Sequence, residues 1–543
     1  MPQVVVGPLL RYVDDSSASI WVETDEPCTV SVLDACARTF TVHGHHYALV
    51  EVSGLATGSR TDYAVELDGV RVWPEPDSEF PPSVIATVDE NAPVRLLFGS
   101  CRTSVPHDAA HVLSHGVDVL RAYAYDMAGQ ETARRPTALL MLGDQVYADE
   151  PPEQVREFIR DRRDTSAEPG EEIADFTEYA ELYRLAWSDP AVRWLLSTIP
   201  TMMIFDDHDL RDDWNTSHDW REEMLAQPWW RRRVVAGLGS YWIYQHLGNL
   251  PPAERATDPL LEALRSADGD GGALLDEFAW QADQDPSQNR WSYVRRLGRN
   301  RLIVLDSRCA RTLKPGGRAI VDEQEWDWFA EQATAGEVDH LLIGSSVPVL
   351  LPAGLHYLES WNEAVCEGRW GPWAARAGER IRQTLDLEHW GAFGRSFFAL
   401  SRLIVRISTG AGGAGRPPAS VVLLSGDVHY SYLAQAKIKN AVSNVYQAVC
   451  SPIRNPLSRL LRLANGIASF GLAGLIGRAL ARAAGVRAAP FAWRIRRGPW
   501  FHNAVATVEM DGRACVIGWY AAHATSGDPP DLFALSREHL TRD

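Results

Sequence analysis

Cysteine is sparse in this 543-residue chain. The seven that occur are scattered, odd in number and free of any C-x-x-C pair, which argues against a disulfide framework or a zinc knuckle and for reduced thiols. Long apolar runs are missing as well. One uncharged greasy stretch, residues 463–477, has 15 residues broken by glycines, short of the roughly 18 that a membrane span needs. The opening "MPQVVVGPLLRYVDD" has no basic stretch leading into a long apolar core and no twin-arginine pair, so no export signal is read and a cytoplasmic protein is expected. No G-x-S-x-G, H-E-x-x-H or G-K-[ST] motif occurs, which weighs against a serine hydrolase, a zincin or a P-loop enzyme. The formal charge of −18 disfavours nonspecific nucleic-acid binding by the molecule as a whole. No internal repeat of fixed period is seen, and "GAGGAG" (410–415) is followed by two prolines where a dinucleotide fingerprint requires a helix.

What is present is the composition of a folded protein, 45% apolar and 23% charged. Up to about residue 90 the chain alternates in the manner of half-buried strands: "SASIWVET", "CTVSVLDA", "YALVEVSGL", "TDYAVELDG". Polar turns separate them at short spacing, as in a β-sandwich, and the Pro-rich 73–82 and 89–93 mark its exit. The cluster "HGHH" (43–46) is read as solvated rather than metal-binding. We expect an N-terminal unit over 1–92 and a second over 93–543. From Val94 short continuous apolar runs, the mark of strands buried on both faces, alternate with helix-like stretches, which predicts an α/β domain with largely parallel sheets.

Those runs finish alike: in Cys101, in Asp144 with Tyr147, in Asp207 with His208, in Asp306, in Ser345 with Ser346, and in Asp427 with His429. Ligands of open α/β sheets bind beyond the carboxyl ends of the strands. Side-by-side strands would therefore collect a thiol, a phenol, several carboxylates and two histidines at one edge, and so many acids together require cations. In "LGDQVY" and "SGDVHY" a glycine precedes the aspartate and permits a sharp turn into the crevice. Asp144 has two oxygens with which to bridge a pair of ions, and Asp427 and His429 lie at i, i+2.

The set "SCR", "GDQVY", "DDHD" and "GDVH", with "GSSVPVLLP", "SPIRNP" and "PWFHN", resembles the PhoD-type alkaline phosphatase family, a branch of the calcineurin-like metallophosphoesterases. The resemblance covers nearly the whole chain. It implies a four-layer α/β/β/α sandwich preceded by an immunoglobulin- or fibronectin-like β-sandwich. It also implies a ferric ion held by Cys101, Asp144, Tyr147 and His429, and a second ion, calcium or another divalent cation such as Mn2+, held by Asp144, Asp207 and Asp427. A metal-activated hydroxide would attack a phosphodiester or phosphomonoester, with His208 assisting the leaving oxygen. Chemistry agrees: a highly charged ion drives a phenol and a thiol to ionise, and a site nearly all carboxylate suits Ca2+ or Mn2+. Arg102, beside Cys101, is the expected phosphate clamp.

The chain departs from the family in "DDHDLRDDWN", where Asp212 and Asp213 stand in place of asparagines, and in lacking the export signal. Asp306 is a candidate for orienting Arg308 and Asn503 for lining the pocket; His356, Asn362 and the Glu388–His389 pair have no place in this reading. From Val428 to Val508 there is no acid and eleven basic residues. The amphipathic part of this segment, around 454–498, is either an insertion whose arginines pair with acids elsewhere or a lip that touches anionic substrate or lipid. The alternatives to a phosphatase acting on small phosphate esters are a same-fold hydrolase specialised for nucleotides and a binding protein with a structural or vestigial metal site.

Overall fold

The computed structural model describes residues 1–411, 415–457, 471–525 and 529–541. Near the N-terminus two four-stranded sheets face one another. One contains Val4–Val13, Ser17–Thr24, His45–Ser53 and Phe40–Val42; the other contains Thr29–Val32, Ala35–Arg38, Val65–Leu67 and Val70–Trp73. Ile20, Val22, Val30, Val50, Val65 and Trp73 fill the space between them.

The first of these sheets is buried on its other face too. Seven of the eight residues in "SASIWVET" are buried, not the alternate ones that the pattern predicts. The reason is a seam against the rest of the chain: Trp21 and Tyr47 turn outward onto Tyr244, with Trp21 and Tyr244 centroids 5.3 Å apart. Arg11, wholly buried, donates to the carbonyls of Thr201 (3.0 Å), Tyr244 (2.6 Å) and Gln245 (2.5 Å) and to Asn249 Oδ1. The three histidines of "HGHH" take separate partners, Asp276, Glu23 and Thr41, so they gather at no common point.

The remainder is built on two larger sheets. The six-stranded one sets parallel strands Thr201–Ile204, Ala138–Leu142 and Val94–Gly99 beside antiparallel Val505–Asp511, Ala514–His523 and Asp531–Thr541. In the seven-stranded one, Asn300–Leu305, His340–Ser345, Ser420–Ser425 and Asn444–Val449 run parallel, flanked by Tyr293–Leu297 on one side and by Ser431–Lys437 and Ala492–Trp500 on the other. Leu96, Phe98, Leu140, Val304, Leu342 and Val422 meet between the sheets. Their neighbours along each strand point outward under helices: Leu97, Leu139 and Met141 on one side, Ile303, Ile343 and Leu423 on the other. Alternate side chains thus enter two apolar cores, which explains the unbroken apolar runs. The result is the helix–sheet–sheet–helix sandwich expected from the sequence.

Residues 458–470 of the basic segment and 412–414 of "GAGGAG" lie outside the described residues. Helix Gly471–Ala483 packs on helix Ala353–Cys366, with Gly474 and Gly477 allowing close approach to Ala353 and Tyr357. Of the segment's described arginines, Arg497 pairs with Glu538, while Arg454 donates to the carbonyls of Val105 and Pro106. Among the described residues no helix is long and apolar enough to cross a membrane.

Because Arg11 satisfies four acceptors that have no water to fall back on, Arg11→Met is expected to lower stability by roughly 3 kcal/mol. The shift of the urea unfolding midpoint measures it.

Candidate metal centre

The site lies where the strands of the two large sheets end. Gly143 and Gly426 precede its aspartates for different reasons. Gly143 has φ +98°, and a Cβ there would also strike Asp206 at 2.5 Å; at Gly426 a Cβ would lie 2.0 Å from Ser100 Oγ. Immediately after the strands, Cys101 (φ 59°), Asp144 (φ 49°), Asp427 (φ 66°) and His429 (φ 56°) all adopt the left-handed conformation, uncommon for residues other than glycine and concentrated at functional sites. Hydrogen bonds hold these turns. Cys101 N–H donates to the Gly143 carbonyl (3.2 Å), Asp427 N–H to Ser100 Oγ (3.1 Å) and His429 N–H to Ser451 Oγ (3.1 Å). The buried Asp209 accepts from the N–H groups of Gln145, Val146 and Asp206, tying two loops together.

Four triads of ligand atoms result, with the atoms of each lying within 4.8 Å of one another: Cys101–Asp144–His429, Asp144–Asp206–Asp207, Asp207–His208–Asp212 and Asp207–Glu388–Asp427. Asp144 and Asp207 each belong to more than one. Tyr147 O–H donates to Asp144 Oδ2 (3.4 Å), and its ring stands 4.8 Å from that of His208. Every metal-ligand candidate named from the sequence therefore sits in one largely buried cluster. The donor set fits cations. Asp144 Oδ1 and Asp206 Oδ2 are buried without a hydrogen-bond partner, and Asp207 Oδ1, 3.1 Å from Arg308 Nη2, is not aligned to accept from it. Unpaired buried acceptors of this kind are costly unless something positive meets them.

The electrostatics point the same way. Burial, then the neighbouring acids, push Asp144 well above the usual carboxylate range. Burial followed by the Asp144 and Asp427 charges raises the Cys101 thiol, and burial with Asp144 and Cys101 raises the Tyr147 phenol. Burial lowers His429 to about 4, so its imidazole is neutral and free to coordinate. Burial alone would lower His208 too, but Asp149, which accepts from its Nδ1 at 2.9 Å, and the other acids hold it well above its ordinary value. Behind the cluster Arg308, wholly buried, binds Asp206 and Glu388 and lies 3.1 Å from Asp207 and 3.6 Å from Asp427. His389 donates from both ring nitrogens, to Asp427 (2.8 Å) and Glu359 (2.6 Å).

Other expectations are corrected. The Arg102 guanidinium is not offered to the crevice. Its Nε and Nη2 bind Asp118 (2.9 and 2.8 Å), its Nη1 binds the Ala186 carbonyl (2.6 Å), and it is 3% exposed. It ties the strand end to the N-cap of helix Val119–Ala128. Asn503 holds the carbonyls of His115 and Val117, closing a turn. Asp306 does orient Arg308, through backbone: it accepts from the N–H groups of Arg308, Cys309 and Ala310. His356 packs among Tyr357, Phe397 and Trp493, and Asn362 donates to the Gly378 carbonyl. Asp206, Asp209, Glu359, Glu388 and His389 are the site's members that sequence reasoning left unassigned. "LDSR", after an apolar run, was the one signal toward Arg308.

A family model described as PhoD-like phosphatase matches residues 118–456, and a domain of unknown function, DUF7800, matches residues 1–85. No curated protein matches the chain. A solved structure described as "Structure of PhoD" superposes with a TM-score of 0.57 at 12% identity, covering 99% of this chain and 90% of that one; at such identity the likeness is one of fold. With the family model spanning more than half of its length, the chain belongs to the PhoD-like phosphatase family.

Proposed function

We propose that this chain is a metal-dependent phosphoric ester hydrolase acting on diesters, monoesters or both at a two-cation centre. The observation that carries the reading is the sharing of Asp144 and Asp207 between adjoining ligand triads, the arrangement that two neighbouring cations require. Cys101, Asp144, Tyr147 and His429 would hold a ferric ion; Asp144, Asp207 and Asp427 would hold a second, calcium or manganese. Cations bound there supply the positive charge that a phosphoryl group needs and lower the pKa of water enough to provide a nucleophile near neutral pH.

The chain's own groups do the rest. Asp149 fixes the His208 ring through Nδ1 and keeps it protonated, so that Nε2, 3.7 Å from Asp212 Oδ1, would carry the proton given to the leaving oxygen. His389 locks Asp427 in place, and Arg308 holds Asp206, Asp207 and Glu388 in register from behind. A non-catalytic binding role is not favoured: a structural or vestigial metal site accounts for the gathered ligand atoms but not for the protonated histidine beside them.

Substitution of Asp144 by Asn is expected to reduce hydrolysis of bis-p-nitrophenyl phosphate by roughly 10³-fold or more and to lower the metal content of the purified protein, read by elemental analysis. Tyr147→Phe should abolish a visible phenolate-to-iron absorption band; a wild-type protein that is colourless and iron-free yet active would remove the ferric assignment. For His208→Gln, kcat should fall about 10²- to 10⁴-fold on alkyl phosphate esters. The loss should be much smaller on p-nitrophenyl esters, whose leaving group needs no proton.

A further inference from the structure

A second polar cavity, of about 280 Å³, opens beside helix Ala353–Cys366, under residues 484–489 and at the start of helix Gly394–Thr409. Arg318 lines it and is 4% exposed, with Nε and Nη1 lacking any hydrogen-bond partner. Arg369, Arg395 and Arg487, all exposed, form its rim, and none of the three pairs with an acid among the described residues. Against these four guanidinium groups the lining offers two carboxylates, Glu363 and Glu367. Glu363 is already engaged by the Gly394 N–H (2.8 Å) at the helix N-terminus. In a molecule of formal charge −18 such a local excess of arginine is itself unusual.

We propose that this cavity binds a phosphate-type oxyanion, as a site separate from the metal centre and linked to it through Arg318 and Thr216. Guanidinium forks match phosphate oxygens in geometry and charge, and Arg318 has two donors with no partner to satisfy them. Burial, then neighbouring Arg382, lowers Arg318 to about 9 against the opposing pull of Glu363 and Glu379. The link is direct. Arg318 Nη2 donates to the Thr216 carbonyl (3.1 Å), and Thr216 Oγ1 donates to Glu388 Oε2 (2.7 Å), the carboxylate that grips Arg308. An anion drawing on Arg318 therefore acts on the supports of the metal ligands. The choice of phosphate as ligand rests on the hydrolase reading, whose product it is.

The test titrates the full chain calorimetrically with inorganic phosphate. Wild type should show two classes of site. Arg395→Gln combined with Arg487→Gln should weaken one class by about tenfold or more, with an unchanged melting midpoint and unchanged turnover at low phosphate; it should also lose the non-competitive part of phosphate inhibition. Arg369→Gln is an independent rim variant if the pair lowers the midpoint. Asp144→Asn must retain the class that the rim variants lose. Rim variants that bind phosphate as wild type does, or an Asp144→Asn protein that binds none, would overturn the proposal. A chain that hydrolyses no phosphate ester but keeps the rim-dependent class would refute the hydrolase reading alone. Glycerol 3-phosphate forms the other arm: tighter binding than phosphate assigns the site to an esterified phosphate, weaker binding to the free ion.

Discussion

Five carboxylates, Asp144, Asp206, Asp207, Glu388 and Asp427, are gathered at the end of the two sheets, and their mutual repulsion is the constraint around which this region is organised. Two like charges about 4 Å apart repel by roughly 4 kcal/mol in a protein-like dielectric, so the cluster stands with positive charge inside it or with some of its acids protonated. Arg308 supplies one such charge permanently, and His389 and His208, each held protonated by its own acid, supply two more. What these leave unanswered is chiefly Oδ1 of Asp144 and Oδ2 of Asp206, both buried without a hydrogen-bond partner.

The backbone is arranged to the same end. Four of the residues that face the crevice are held in the left-handed region, each costing on the order of 1–3 kcal/mol unless its surroundings determine it. The surroundings do so here with inexpensive parts: the hydroxyls of Ser100 and Ser451, and the three N–H groups collected by Asp209. The same two serines lie 3.1 and 3.2 Å from Cys101 Sγ, so the bonds that shape the turns also solvate the sulfur. Geometry is thus set before any ligand arrives, as a preorganised site requires.

The strands and the residues that follow them were legible because two-sided burial writes a continuous apolar run and each run stops abruptly at a polar side chain. Cys101, Asp144, Tyr147, Asp207, Asp427 and His429, which the structure brings close together, all stand out in that way. Glu388 and His389 escaped because they follow a helix and a short loop rather than a strand, and Glu359 because it lies in mid-helix, where nothing local distinguishes it from a solvated acid. Arg102 was misassigned for a related reason. Adjacency to Cys101 in sequence says nothing of direction, and beyond the left-handed turn at Cys101 the Arg102 side chain runs to Asp118 instead. The double burial of Ser17–Thr24 was hidden because its outer face is covered by Tyr244 and its neighbours, more than two hundred residues away.

The seam has a bearing on modularity. Arg11 reaches across into carbonyls of 201 and 244–245, and Glu51 and Ser19 receive Arg255 from the far side. Recombination between relatives would have to transplant the first sandwich together with the turn around 244–255, since either half alone would meet a foreign surface with a buried guanidinium and no acceptors. The leading sandwich is in that sense a fixed limb of the rest of the chain and not an interchangeable one.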